Sequence, residues 1–179
     1  LCHRGIWVLL RNNLNNNSTL PVVKRLLVFL YTLVEEVIMR AYSESYLEQV
    51  VETQGYLFDF VAYKYHIYDT KDFINKYMRS ETRRYIDESH AYVNTMDYKE
   101  LLKYFLKTDN YSFSPGETLT GFKPKWIGEF YAYFQWYYNI PSKDVIKKVP
   151  LDFLEKAYYG LHDLDLELAV EKVGEQLKF

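Results

Sequence analysis

The sequence predicts an all-α protein, a compact bundle of about six or seven short helices with one long loop. Three observations lead to this class. Apolar residues recur at i, i+3, i+4 and i+7 through most of the chain after residue 43. Residues that favour helix N-caps and helix ends separate these stretches at short intervals. The alternation of apolar and polar residues that indicates a strand never extends beyond a few positions.

The first predicted helix covers about residues 45–66. Ser45 and Glu48 have the spacing of a capping box, in which each side chain accepts a hydrogen bond from the other residue's backbone N–H. Helical spacing then places one set of side chains on a single face directed at a core: Leu47, Val50, Val51, Gln54, Leu57, Phe58, Val61 and Tyr65.

Two shorter helices follow. Asp69 or Thr70 caps the second predicted helix, whose inward face is Phe73, Ile74, Tyr77 and Met78. Ser80 starts the third, over residues 81–89, with Tyr85 and Ile86 inward. Short helices are stabilised mainly by tertiary packing, so all of these segments are expected to belong to one bundle.

An extended connection is predicted over residues 90–95, after which Thr95 caps a helix that continues through Lys107. The apolar face of this helix consists of Tyr98, Leu101, Leu102, Phe105 and Leu106. The pattern then stops at residues 109–124, where prolines and glycines favour turns. A loop of this length in a small domain is often functional, so it is a candidate contact surface.

The most aromatic segment of the chain is the helix predicted over residues 125–139. Aromatic side chains fall on nearly every side of it, so we expect it to be the central helix of the bundle. Residues 139–142 end it and cap the next helix, over 143–149.

Two helices complete the predicted bundle. Pro150 starts one that continues through Tyr159 and is closed by Gly160. The last covers about 165–177, with apolar positions Leu166, Leu168, Ala169, Val170 and Val173.

The composition is that of a folded globular protein. Of 179 residues, 49% are hydrophobic and 26% charged, which excludes disordered, collagen-like and disulfide-scaffold classes. The net charge of -2 supplies no general attraction to nucleic acid or to anionic lipid. The unusual feature is an aromatic content of 18%, which includes 19 tyrosines.

The first 38 residues differ in composition from the rest, with an asparagine-rich stretch at 12–17. Residues 35–39 can be encoded as GAG-GAG-GTG-ATA-ATG, which contains a bacterial ribosome-binding site before an ATG codon. We therefore expect native translation to begin at Met39, residues 1–38 to lie outside the native fold, and 39–179 to form a single helical domain. Residues 39–179 contain no cysteine, which is compatible with a reducing bacterial cytoplasm.

An alternative reading of the same segment is a secretory signal, with Lys24 and Arg25 as its charged region and 26–34 as its apolar region. Two glutamates follow the apolar run directly, and no cleavage site of small residues appears. The run is also far shorter than the roughly 20 residues that span a bilayer. Neither a signal nor a membrane anchor is predicted.

The densest group of charged residues surrounds the third predicted helix: Arg79, Glu81, Arg83, Arg84, Asp87, Glu88 and His90. Arg83 and Asp87 are four residues apart, as are Arg84 and Glu88, so both pairs are expected to form ion pairs on a solvated helix face. The alternative is that Arg83, Arg84 and Asp87 form part of an anion site, since arginines bind phosphate or carboxylate with two hydrogen bonds.

No catalytic or metal-binding pattern is apparent. A nucleophile elbow, a phosphate loop, a dinucleotide fingerprint and a zinc-protease helix are all missing from the sequence. His162, Asp163 and Asp165 are close in sequence, but the two aspartates are better explained as capping and N-terminal dipole partners of the last helix than as metal ligands. The sequence predicts no enzyme activity, no cofactor and no metal.

A DNA-binding regulator is the second functional hypothesis. The helix ending near 139, the short turn and the helix at 143–149 resemble a helix-turn-helix, and Lys143, Lys147 and Lys148 would contact DNA. The second helix lacks Arg, Asn or Gln to read base edges, and it is only about two turns long.

Protein binding is the first functional hypothesis, because a small core cannot absorb this many aromatic side chains and interface hot spots are rich in them. Surplus tyrosines are expected at the surface: Tyr42, Tyr46, Tyr63, Tyr65, Tyr68, Tyr92, Tyr111, Tyr137 and Tyr138. As partner-binding anchors we nominate residues in and around the long loop and the aromatic helix: Tyr111, Phe113, Phe122, Trp126, Tyr137 and Tyr138.

Five short motifs carry a resemblance to known proteins. They are Glu44-Ser45-Tyr46-Leu47, Gly55-Tyr56-Leu57-Phe58-Asp59-Phe60, Trp126-Ile127-Gly128-Glu129-Phe130-Tyr131, Asn139-Ile140-Pro141-Ser142 and Tyr158-Tyr159-Gly160-Leu161-His162. Over roughly 39–177 the chain resembles small helical proteins of Gram-positive bacteria, some of which look like partners in toxin-antitoxin-type gene cassettes. The resemblance implies an antitoxin-like protein that covers a partner protein, and it assigns no role to any residue.

Overall fold

The computed structural model describes residues 42–178, which form nine α-helices and no β-sheet. The predicted all-α class is confirmed, with more helices than the six or seven expected. A one-turn 3-10 helix, Glu44–Tyr46, precedes α1. The helices are α1 (Leu47–Lys64), α2 (Thr70–Tyr77), α3 (Glu81–Asp87), α4 (Ala91–Asn94), α5 (Tyr98–Thr108), α6 (Lys123–Tyr138), α7 (Ser142–Lys148), α8 (Leu151–Leu161) and α9 (Leu166–Leu177).

Residues 1–38, the expected start at Met39 and the apolar run at 26–34 lie outside the described residues. The predictions made for them stay predictions.

Three predicted helix starts are confirmed by their hydrogen bonds. The side chains of Asp69, Ser80 and Asp165 each accept a backbone N–H from the first turn of α2, α3 and α9 respectively. These bonds satisfy donors that have no partner inside the helix. The same chemistry that was visible in the sequence therefore sets these three boundaries.

The predicted start of α1 is wrong. Ser45 and Glu48 form no capping box, because the chain first makes a 3-10 turn whose N-cap is Ser43. The Ser45 hydroxyl donates to the Ser43 hydroxyl at 3.0 Å instead. The α-helix begins only after that turn, with Tyr46 as an N-cap that makes no side-chain hydrogen bond.

The prediction that residues 90–95, before α5, form an extended connection is also wrong, because this segment contains the short helix α4. Thr95 ends that helix rather than starting the next one, and its hydroxyl donates to the Ala91 carbonyl at 3.1 Å. The N-cap of α5 is Asp97, which forms a complete capping box with Glu100. Two competing caps two residues apart are difficult to rank from sequence alone.

Three details of the later helices differ from the prediction. Ser142 is the first residue of α7 and makes no capping bond to it, because its side chain is used in a buried network described below. Gly160 lies inside α8, which continues to Leu161. Leu168 is exposed although it was predicted to be an inward position of α9.

Helix α6 is the centre of the bundle, as predicted. It packs against α1, α7, α8 and α9, and ten of its residues are buried. It ends at Asn139, which has a left-handed conformation with φ of 50°.

Helices α1 and α6 are antiparallel and cross closely. At one end the Trp136 indole donates to the Tyr42 carbonyl at 3.0 Å, and at the other the Thr118 hydroxyl donates to the Ala62 carbonyl at 3.3 Å. Gly128 permits the approach, since a Cβ there would lie 2.6 Å from the Gln54 carbonyl oxygen.

The long loop between α5 and α6 is attached to the bundle at several points. Asp109 accepts hydrogen bonds from the backbone at the start of α3. The hydroxyls of Thr118 and Thr70 are 2.7 Å apart, and the Phe113 ring stacks on Tyr65 with ring centres 4.4 Å apart. The backbone of the loop also forms an isolated antiparallel β-bridge with the segment before α2. The loop is therefore packed against the helices and forms part of the fold.

Candidate binding surface

The charged group on α3 separates into a buried half and an exposed half. Arg83 is fully buried, so the prediction that it lies on a solvated face is wrong. The predicted pair with Asp87 is present, with Nη2 and Oδ1 3.6 Å apart. Its Nε donates to the Ser142 hydroxyl at 2.8 Å, and Nη2 donates to the Gln135 side chain at 3.4 Å. The covering helices α6 and α7 explain the burial, and helical spacing alone cannot show which face they cover.

Asp87 completes this network from the other side. It accepts hydrogen bonds from the backbone N–H and the hydroxyl of Ser142, both at 2.7 Å. Burial lowers the pKa of the Arg83 guanidinium, but the Asp87 carboxylate raises it, and the net direction is upward. Burial raises the pKa of Asp87, while Arg83 and Ser142 oppose that shift. Arg83 is therefore a cation held by internal partners, and its own guanidinium does not face solvent to bind an anion.

Arg84, the next residue, is on the outer face of the same helix. It pairs with Glu88, as predicted, at 2.6 Å and also with Glu81, and its guanidinium lies 5.0 Å from the Tyr85 ring centre. Both carboxylates raise the pKa of Arg84 through hydrogen bonds. Exposed ion pairs of this type contribute little to stability.

The polar groups around His162 contact neighbouring residues of the same segment. The imidazole Nδ1 lies 2.9 Å from the Tyr158 carbonyl, and Nε2 lies 3.3 Å from Asp163. Asp165 caps α9, as predicted. Within residues 42–178 no three His, Cys, Asp or Glu side chains come together in a way that could hold a metal ion.

The helix proposed to contact DNA is α7, which carries the exposed side chains of Lys143, Lys147 and Lys148. Lys147 is paired with Asp144 at 2.9 Å. In a recognition helix the N-terminal residues contact base edges. Here the first residue of α7, Ser142, is fully buried and bonded to Asp87, so its side chain is not available to a base edge, whereas Lys143 beside it is exposed.

The structure separates the six nominated anchors into three groups. Phe122 is the most exposed, at 81% of its surface. Trp126 is buried, with its ring edge against Tyr158 at 5.4 Å between ring centres. The other four are half-buried: Tyr111, whose hydroxyl donates to Asp72, Phe113, Tyr137, whose hydroxyl donates to Glu171, and Tyr138.

Three further exposed aromatic residues lie on α1 and α8, two helices that pack against α6. Tyr63 and Tyr159 are 84% and 70% exposed, and Tyr56 is 45% exposed. Tyr63 was on the list of surplus tyrosines, whereas Tyr56 and Tyr159 were missed. A signal was available for Tyr56, because it is seven residues from Tyr63 and so on the same face of α1. Tyr159 had no such signal, since its neighbour Tyr158 is buried.

These four residues lie on α1, on α8 and immediately before α6, and we call them the aromatic surface. The Lys125 ammonium lies 5.0 Å from the Tyr56 ring centre, and the Lys123 ammonium lies 4.7 Å from that of Tyr159. Phe122 immediately precedes Lys123. Because α1 and α6 are antiparallel, Tyr63 is two turns from Tyr56 toward the end of α1 that meets the start of α6. The surface thus spans α1, α6 and α8.

Comparison with known proteins provides no family for this chain, because no family model, curated protein or solved structure matches it. Among the described helices, none is both long enough and apolar enough to cross a membrane.

Proposed function

We propose that this protein is a protein-binding accessory module that uses the aromatic surface to cover a functional surface of a partner protein in the cytoplasm, as an antitoxin does. The observation that carries this proposal is the exposure of Tyr56, Tyr63, Phe122 and Tyr159, of which Tyr56 and Tyr159 lie beside the lysines of the first turn of α6 and Phe122 immediately precedes that turn. Large aromatic side chains in one exposed group are a mark of interaction sites.

The chemistry of the surface suits a protein partner. Aromatic rings bury a large area with few rotatable bonds, so binding them costs little conformational entropy. Lys123 and Lys125 lie over two of the rings, which supports those ring positions before a partner arrives. A partner with an apolar patch would match the rings, because Lys125 and Lys123 already pair with Glu129 and Glu155 of this chain.

Affinity capture from the native host tests this proposal. The triple variant Y63S/F122S/Y159S removes the three most exposed rings of the aromatic surface. Y92S is the matched control, because Tyr92 is similarly exposed, at 73%, and contacts Tyr104 on a different part of the bundle. We expect one stoichiometric protein to be retained by the wild type and by Y92S and to be lost from the triple variant.

Two results would contradict the proposal. One is capture that the triple variant retains in full. The other is recovery with duplex DNA, with a steep dependence on salt and loss in the K143A/K148A variant, which would favour the DNA-binding hypothesis.

A further inference from the structure

A small cavity lies between α1, α2, α3, α4 and α5, close to the buried arginine. Its polar lining consists of Thr53, Gln54, Tyr77, Arg83 and Asn94, and the other lining residues are apolar. The space open to the centre of a water molecule is about 10 Å³, which is room for one water molecule and for no organic ligand.

Four of these five polar residues carry buried polar atoms that have no hydrogen-bond partner in the protein. These atoms are Gln54 Oε1, Tyr77 OH, Arg83 Nη1, and Nδ2 and Oδ1 of Asn94. In the described part of the chain, all buried side-chain atoms of this kind belong to residues that line this cavity. Unpaired buried groups are costly and rare in folded proteins, and buried water is the usual partner.

The donors and acceptors around the cavity match a water molecule. Tyr77 and Arg83 supply O–H and N–H donors, and burial raises the pKa of Tyr77, so its hydroxyl keeps its proton. Gln54 supplies an acceptor whose orientation is determined, because its Nε2 donates to the Gly128 carbonyl at 2.9 Å. Asn94 offers one donor and one acceptor in either orientation of its amide.

We infer that this cavity binds one water molecule, which accepts hydrogen bonds from Arg83 and Tyr77 and donates hydrogen bonds to Gln54 and Asn94. An anion would face the Gln54 Oε1, whose orientation is determined, and a cation would face the Arg83 guanidinium. The water joins α1, α2, α3 and α4, and Arg83 connects it to the Asp87 and Ser142 network.

A high-resolution crystal structure of the full chain, with crystals soaked in bromide, tests the identity of the occupant. We expect a density peak within hydrogen-bond distance of Tyr77 OH and Arg83 Nη1 and no anomalous bromide signal there. A bromide peak would show an anion site, and the absence of any peak would show a dry cavity. Either result overturns the inference.

A pair of Tyr→Phe variants tests the same inference in solution. Y131F is the matched control, because Tyr131 is equally buried and donates one known hydrogen bond, to the Val149 carbonyl at 2.9 Å. If a water molecule accepts from Tyr77, Y77F should raise the unfolding equilibrium constant about fivefold, as Y131F does. If the cavity is dry, Y77F removes an unpaired hydroxyl and should leave stability unchanged or increased, which would contradict the inference.

Discussion

Phe130 and Phe134 are fully buried in the middle of α6, whereas Phe122, at the start of the same helix, is 81% exposed. Burial of a phenylalanine side chain stabilises a fold by about 1.5–3 kcal/mol, and an exposed ring contributes almost none of this. The high aromatic content therefore divides into two sets. The inner rings hold the bundle together, and the rings of the aromatic surface remain exposed to solvent.

The largest expected effect follows from the inner rings. Phe130 packs against Trp126 and Phe134, with ring centres 5.3 and 5.6 Å apart. F130A should lower the free energy of unfolding by about 3–5 kcal/mol, because it loses burial and leaves a cavity. F122A should change it by less than about 0.5 kcal/mol. Urea denaturation followed by circular dichroism measures both, and equal effects would remove the distinction between the two sets of rings.

Arg83 and Arg84 provide a second comparison between a buried and an exposed position. R83M should lower the free energy of unfolding by about 3 kcal/mol, because it leaves the buried Asp87 carboxylate without its cation. R84M loses only exposed ion pairs and should be close to wild type. The same denaturation measurement applies. An R84M effect as large as that of R83M would show that the exposed pairs are the more important ones.

Alanine substitutions at two helical glycines should change the free energy of unfolding by intermediate amounts, one lowering it and the other raising it. In G128A the new Cβ meets the α1 backbone, so we expect a loss of about 1–3 kcal/mol in the free energy of unfolding. Gly160 is exposed inside α8 with no atom near its missing Cβ, so G160A should stabilise by about 0.5–1 kcal/mol. Thermal unfolding distinguishes them. A G128A variant as stable as wild type would show that α1 and α6 do not cross this closely.

The smallest effect concerns the exposed cap of α5. Backbone N–H groups of the first turn lower the pKa of Asp97, so its carboxylate stabilises the native state above the unfolded pKa, and this contribution is lost as pH falls through the folded pKa. D97N keeps the N-cap acceptor but cannot titrate. At neutral pH the two proteins should have similar melting temperatures, and below about pH 4 the wild type should lose more. If the melting temperatures of the two proteins fell in parallel down to pH 2, this contribution of the Asp97 carboxylate would be contradicted.

Much of the fold could be predicted from the sequence because helix periodicity and side-chain caps are local. The inward positions Phe73, Ile74 and Tyr77 are all fully buried, and Asp69 and Ser80 cap as expected. The errors arise where tertiary contacts decide. Ser142 has the residue type of a cap, but Asp87 and Arg83 draw its hydroxyl into a buried network.

The candidate site was predictable only in part for the same reason. Of the nominated anchors Phe122 belongs to the aromatic surface, whereas Trp126 is covered by Tyr158 of α8. Spacing along one helix cannot show which neighbour covers a given side, so Tyr159 could not be distinguished from Tyr158. The same limit applies to Arg83 and Arg84, each of which has a carboxylate partner at i+4 although one is buried and the other exposed.

The most direct test of the central claim is photo-crosslinking in living cells, with a benzoylphenylalanine replacing Phe122 in one variant and Tyr92 in another. Both positions are exposed, and only the first belongs to the aromatic surface. We predict one discrete protein adduct from position 122 and none from position 92. No adduct at position 122, or the same adduct from both positions, would contradict the account.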